Sequence, residues 1–580
     1  MSGHLVLADR IQKRRGAAVL GVVGLLISLL CVRLVKIQVV SGAELLASVE
    51  RQHKSRSVIP ARRGMILDRS GRVVAASRQM PDVFIDPVLV DDLDSLSIEV
   101  GIRVNVSPSE VRQAVLRRAD SRYVVVARCV GEVEAEAIRE LKHPAVGLSE
   151  RSLRTYPLGS SMAHVLGFVG RDGNGLEGIE LTLDEHLRGC NGTRATIRDA
   201  RRRALWREER ASTPPVDGGH VVLTIDAEIQ RITEAALTRT IEKFRAKSGV
   251  GIVMKPGTGE VLAMACYPAF DVNDAPNVDQ AIRRNRAVTD PVEPGSTFKP
   301  FITGGALAGG FVSPTERIDC GQGRYYAGRR LIEDTSPHGM MTLQEIVCKS
   351  SNIGMAHIGQ RMGAEALHEV MARFGFGRRT GIECPGEDAG LLHPLARWTS
   401  YSVTSVPMGY EVGVTPLQLL SAFSAISNDG LLLRPRIVKE LLGPDGRPIG
   451  SDRGPELVRR VLPSEVARYM SEIVLVSVVE EGSGKLAKVP GHQVLGKTGT
   501  SKLSFTDKRG YEEGAYLASF IAAAPASDPR VAVLVMVRRP DAKLGYYGSK
   551  VSAPAVGEIL AGTLAYLQVP PGEEVAMRAP

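Results

Sequence analysis

One long apolar run restricts the architecture of this chain more than any other feature. Gly16 to Val32 holds 17 residues without a charge, and Arg10, Lys13, Arg14 and Arg15 stand just before it. Crossing a bilayer takes about 20 apolar residues, and the aliphatic stems of Arg33 and Lys36 lengthen this run by snorkelling. Residues 16–37 are therefore read as a transmembrane anchor. The basic cluster keeps residues 1–15 in the cytoplasm and puts everything after residue 40 on the outer side. No small-x-small pattern closes the run, as a cleaved signal peptide would require, and Leu30 precedes Cys31 where lipoprotein processing needs a small residue. No second run of this length exists, so the remainder is expected to be soluble and tethered once.

At 580 residues the chain exceeds one core. A content of 44% hydrophobic and 24% charged residues excludes wholesale disorder. The net charge of +9 suits an anionic membrane surface. The most basic stretch, Arg194 to Arg210, also holds Asp199, Glu208 and Glu209; it reads as a solvated connecting segment, and no nucleic-acid partner is expected. Cys31, Cys129, Cys190, Cys266, Cys320, Cys348 and Cys384 form no CxxC pair and no zinc-like spacing with histidine. Their odd number argues against a disulfide framework and leaves one bridge among the outer cysteines open. No metal or cofactor is expected.

From 38 to 230 a Ser41-Gly42 turn signal and Pro60, Pro87 and Pro157 punctuate short apolar runs. Val133–Leu141 reads as a helix. The Gly-rich Gly170–Gly178 lacks the Lys-Ser/Thr of a phosphate cradle and reads as a structural loop. Val221–Ile225 reads as a strand. Ala227–Lys243 follows with Ile229, Ile232, Ala235, Ala236 and Ile241 at helical spacing, and opens a new domain. Val250–Lys255 and Glu260–Cys266, joined by Pro256-Gly257-Thr258-Gly259, make a hairpin. Tyr516–Ala524 and Val531–Val537 are late strands. Strands at both ends with helices between them predict an α+β domain, one antiparallel sheet covered by helices.

Three short motifs carry the chemistry. Ser296-Thr297-Phe298-Lys299 is the only S-x-x-K, and Pro294-Gly295 before it puts Ser296 near a helix start. Residues three apart share a helix face, so Lys299 is placed to serve Ser296 as a base. That requires burial and a second cation to lower its proton affinity. Ser350-Ser351-Asn352 follows an apolar stretch. There Ser350 is suited to relay a proton and Asn352 to hold Lys299 and a substrate amide, although taken alone the tripeptide reads better as a polar helix end. Lys497-Thr498-Gly499-Thr500, led by Val494 and Leu495, reads as a strand beside which an extended peptide can pair. Lys497 is the second cation, Gly499 allows close approach, and the N–H groups of Ser296 and Thr500 are candidates for an oxyanion hole.

S-x-x-K, S-x-N and K-T-G in this order form a recognised catalytic signature. With them, the chain resembles the class B penicillin-binding proteins, most closely the division-specific transpeptidases of the FtsI type. Further segments carry the likeness: Arg62–Gly71 (RRGMILDRSG), Tyr156-Pro157, His164–Gly170 (HVLGFVG), Gly175–Glu180 (GLEGIE), Leu223–Asp226 (LTID), Asn285-Arg286-Ala287, Glu293-Pro294-Gly295, Val414–Gln418 (VTPLQ) and Tyr546-Tyr547-Gly548.

The resemblance implies an elongated mixed pedestal domain over 38–230, a β-lactamase-like transpeptidase domain over 231–570 and a tail over 571–580. It implies an acyl-serine on Ser296, assisted by Lys299, Ser350, Asn352 and Lys497, with Thr498, Gly499 and Thr500 binding substrate. Peptidoglycan stem peptides and β-lactams are the implied ligands. A membrane glycosyltransferase of the FtsW/RodA type and other division proteins are the implied partners, in septal wall synthesis at the cytoplasmic (inner) membrane. Two departures stand out: Glu411 occupies a place where glycine is frequent in the family, and Arg201-Arg202-Arg203 lacks a usual glycine. The same motifs would also suit a D,D-carboxypeptidase or a protein that hydrolyses or senses β-lactams. A β-lactamase would be about half as long, and no deacylating base is identifiable.

Overall fold

The computed structural model of the chain describes residues 3–40, 54–198, 204–207, 212–450, 454–505 and 510–572. The Ser41-Gly42 turn, Arg201–Arg203 and residues 573–580 of the tail lie outside the described residues. The chain divides into two compact units, Met1–Ala61 with Cys190–Asp217, and Arg62–Gly189 with Gly218–Pro580.

In the first unit, the helix Gly3–Val35 continues as a π-helical turn over Lys36–Val40. Lys13–Gln38 is a 26-residue stretch with a mean hydropathy of 2.6, long and apolar enough to cross a membrane. The same unit holds a three-stranded sheet in which Gly192–Arg198 pairs antiparallel with both Lys54–Ile59 and Ala204–Arg207. This corrects the reading of Arg194–Arg210 as a connecting segment: much of it is strand. Thr193, Ala195 and Ile197 alternate with Arg194, Thr196 and Arg198, and the density of charge conceals that period of two.

The second unit is built on a five-stranded, wholly antiparallel sheet. Its strands are β1 (Ser248–Lys255), β2 (Glu260–Tyr267), β3 (Leu495–Ser504), β4 (Tyr511–Ala524) and β5 (Val531–Arg538), in the spatial order β2-β1-β5-β4-β3. Residues of β5 alternate strictly between two cores. Val531, Val533, Val535 and Val537 join the cluster under the helices Ala227–Lys243 and Ala553–Tyr566. Ala532, Leu534 and Met536 join the main core on the other face. A strand covered on both faces needs no polar side, which is why this segment is an uninterrupted apolar run. The helix Pro416–Ile426 is buried along its whole length, so it too is apolar all round.

A second sheet ties the early chain to the late chain. Its order is Val438–Leu442, His220–Leu223, Ile66–Leu67, Val73–Ile85 and Val124–Ala127, and Val146–Thr155 also pairs with Val73–Ile85. The main core runs without a break from Ile66, Leu166 and Ile179 to Ile252, Phe298 and Leu417. Beside it lies a buried ion cluster around Glu180. Arg63 Nε and Arg154 Nε each donate to its carboxylate at 2.7 Å, Tyr156 Oη donates at 3.2 Å, and Arg63 also reaches Asp184 at 2.6 Å. Arg63, Tyr156 and Glu180 belong to three separate family-like segments, which the fold joins at one carboxylate. All seven cysteines are free thiols.

Candidate active site

Ser296 lies in a single 3₁₀ turn, Gly295–Phe298, that runs into helix α1 (Lys299–Ala308). The turn is closed by Thr297 Oγ1, which donates to Pro294 O at 2.8 Å. Behind it Phe298, Phe301 and Phe376 pack with ring centroids 4.9–5.6 Å apart. Ser296 is half-buried, whereas Lys299 is fully buried.

The second motif forms a corner between α2 (Leu343–Lys349) and α3 (Asn352–Arg373). Ser350 turns that corner in the left-handed region, at φ 60° and ψ 39°, an uncommon conformation for a residue with a side chain. Ser351 is the N-cap of α3, its Oγ accepting from Gly354 N at 2.9 Å. The polar-helix-end reading is thus right for Ser351, while Ser350 and Asn352 turn towards the lysines.

The third motif lies on β3, which is the outer strand of the sheet. Every second N–H and C=O along such a strand faces away from its neighbour. Ser501 Oγ donates to Glu293 O at 2.8 Å, fixing β3 against the turn that carries Ser296. A Cβ on Gly499 would fall 2.8 Å from Thr297 Cγ2 and 2.4 Å from Ser519 Oγ, so the strand can approach this closely only with glycine there.

The three segments meet at Ser350 Oγ, which accepts from Lys299 Nζ at 3.2 Å and from Lys497 Nζ at 2.9 Å. Lys299 Nζ also reaches Ser350 O at 2.6 Å, Ser351 O at 3.2 Å and Asn352 Oδ1 at 2.9 Å. Ser296 Oγ is not among its partners. Burial pushes Lys299 down to about 7, against the pull of the Asp334 carboxylate. Burial, and then the neighbouring Lys299, also push Lys497 well down. Two desolvated amines around one hydroxyl repel each other's charge, so their protonation is shared rather than independent. The titration of Lys497 is thus coupled to that of Lys299.

Comparison with known proteins identifies the family. Residues 249–561 match the family model for the penicillin-binding protein transpeptidase domain, and residues 58–223 that for the penicillin-binding protein dimerisation domain. The chain is 35% identical to stage V sporulation protein D of Bacillus subtilis, covering 93% of this chain and 83% of that protein. It is 31% identical to peptidoglycan D,D-transpeptidase FtsI of Escherichia coli, over 96% and 92% of the two chains. The crystal structure of penicillin-binding protein 3 from Mycobacterium tuberculosis in complex with aztreonam superposes with a TM-score of 0.68 at 28% identity, covering 90% of this chain and 99% of that one. The chain belongs to the class B penicillin-binding proteins.

In this penicillin-binding protein, residues outside the motifs shape the site, and one of them, Asp334, escaped the sequence reading. Asp334 holds the corner in place, accepting from Ser351 Oγ at 2.5 Å and from the backbone N–H of Asn352 and Ile353. It follows the short strand Arg330–Glu333 in a stretch that carries no local motif, so only the fold reveals it. Glu411, noted above as a departure from glycine, is left-handed with φ 60°. Its N–H donates to Glu293 Oε1 at 2.9 Å, and its carboxylate accepts from Ser402 Oγ at 2.6 Å. Burial and the Glu411 charge both raise the proton affinity of Glu293. A cleft of about 370 Å³ opens here, lined by Ile332, Asn352, Tyr410, Glu411, Lys502 and Tyr511 among others.

Proposed function

We propose that this penicillin-binding protein is a peptidoglycan D,D-transpeptidase that cross-links stem peptides through an acyl-serine on Ser296. The convergence of two buried amines on Ser350 Oγ carries the reading, because it supplies what a serine nucleophile lacks: a base that gives up its own proton near neutral pH.

Substrate binding brings Ser296 Oγ within reach of Lys299, which takes the hydroxyl proton as the oxygen attacks the D-alanyl-D-alanine carbonyl. The N–H groups of Ser296 and Thr500 stabilise the oxyanion. Ser350 passes a proton to the departing D-alanine amine and is resupplied by the lysine pair. An amine of a second stem peptide then attacks the ester, its proton returns through Lys299, and Ser296 is regenerated. Asn352 holds Lys299 and the substrate amide, while Thr498, Gly499 and Thr500 receive the substrate's terminal carboxylate and backbone. β-Lactams enter as mimics of the dipeptide.

The same reading places the anchor at 16–37 with residues 1–15 in the cytoplasm, a pedestal over 38–230, and the transpeptidase domain over 231–570 on the outer face. The partner chemistry is a membrane glycosyltransferase of the FtsW/RodA type that supplies nascent strands for septal wall. The direct test is labelling with a fluorescent penicillin. A stable label that disappears in Ser296→Ala is expected. Rapid drug turnover would point instead to a hydrolase, and an unlabelled wild type would overturn the acyl-serine. Depletion in the source cell separates septal synthesis, which gives filaments, from elongation, which gives rounded cells.

A further inference from the structure

The Thr498 hydroxyl has three polar neighbours to reckon with. Ser483 Oγ lies 2.7 Å from Thr498 Oγ1. Lys497 Nζ reaches the same oxygen at 3.4 Å, and the Thr498 carbonyl at 3.1 Å. The third is the carboxylate proposed above as its ligand. A hydroxyl carries one proton and two lone pairs, whereas a carboxylate only accepts. If Thr498 donated to Ser483, it would have no proton left and would turn a lone pair towards an anion. If Ser483 donates to Thr498 and Lys497 occupies the second lone pair, the Thr498 proton must point away from both. Only this polarity serves an anionic ligand, and a chain of donors polarised in one direction strengthens each member.

The fold holds Ser483 where this demand can be met. It lies in the turn between the helix Leu475–Glu480 and the short 3₁₀ helix Lys485–Ala487. The N–H groups on either side are tied to that helix, Gly482 N to Ser477 O at 3.0 Å and Gly484 N to Val478 O at 2.8 Å. A Cβ on Gly482 would fall 2.6 Å from Cys348 O, so only glycine lets the turn press against the end of α2, two residues before Ser350.

We infer that Ser483 is a positioning residue for the substrate carboxylate: its hydroxyl donates to Thr498 and so aims the Thr498 proton at the ligand. This rests on the reading that Thr498 binds that carboxylate, and the test separates the two. Acylation of the purified full-length protein is followed with benzylpenicillin and with its methyl ester, which lacks the anionic charge. Ser483→Ala is expected to acylate about tenfold less efficiently with benzylpenicillin, with the loss in the binding constant rather than the limiting rate. Ser483→Thr restores the hydroxyl and is expected to recover most of that loss. On the methyl ester, Ser483→Ala and wild type are expected to behave alike. Wild-type efficiency of Ser483→Ala on benzylpenicillin, or an equal loss on acid and ester, would overturn the role of Ser483 while leaving Thr498 as the carboxylate ligand. A wild type indifferent to esterification would overturn the carboxylate reading, and the inference with it.

Discussion

As the proposed base for Ser296, Lys299 must first lose its own proton, so its environment would set the pH range of the reaction. Its folded proton affinity is lowered to about 7, far below that of a free lysine, because no water reaches the amine. The acylation rate should therefore climb as pH rises through about 7 and level off above it, and stopped-flow measurement across pH 5.5–9 at about one-unit steps checks this. Lys299→Ala should lose that ascending limb, and Lys299→Ala and Lys497→Ala should each acylate more than about tenfold more slowly. Glu411 makes a different residue-scale case. Its left-handed backbone costs roughly 1–2 kcal/mol for any residue with a side chain, and here that residue also accepts from Ser402. Glu411→Ala and Glu411→Gly both discard the carboxylate, but only glycine is at ease in that conformation. Denaturant unfolding should find the glycine variant more stable than the alanine variant by about 1 kcal/mol.

Among elements, the junctions decide more than the helices and strands themselves. The α2–α3 corner projects Ser350 towards the lysines because only two residues separate the helices, the left-handed Ser350 and the N-cap Ser351, while Thr342 closes a capping box at the start of α2. The Glu180 cluster plays the corresponding part under the early strands. Its carboxylate is fully buried and bridges Arg63 and Arg154, each 8% exposed. Removing one partner from such a cluster leaves uncompensated buried charge. Glu180→Ala should lower unfolding free energy by about 3–5 kcal/mol, measured by chemical denaturation.

Across the whole second unit, one core joins segments that the sequence assigns to different domains. His164 lies in this seam, 9% exposed, with Nε2 bonded to Ile282 O at 3.0 Å and its own carbonyl accepting from Asn285 Nδ2 at 3.2 Å. Burial lowers its proton affinity from 6.5 to about 4. An unfolded chain takes up this proton below pH 6.5 and the native chain does not, so His164 contributes stability above that pH that is lost as pH falls to about 4. At about 1.4 kcal/mol per tenfold change in proton affinity, the loss is roughly 3 kcal/mol. His164→Gln should flatten the stability profile between pH 6.5 and 4 by about that amount, read from denaturant midpoints. The apolar run after Arg15, the helix Ala227–Lys243, the hairpin of β1 and β2 and the paired late strands were all legible in the chain, because each has a local period or an unbroken apolar composition. The three catalytic motifs were legible because their spacing is short and their order distinctive. Asp334, Ser483 and the strand pairing within Arg194–Arg210 were not, since each draws its meaning from partners distant in sequence or from an alternation hidden under charge. The sequence by itself determined the family and which short motifs stand as candidates for the chemistry. Only the tertiary structure decided their state, because a lysine's proton affinity and the direction in which a hydroxyl donates depend on what surrounds them after folding.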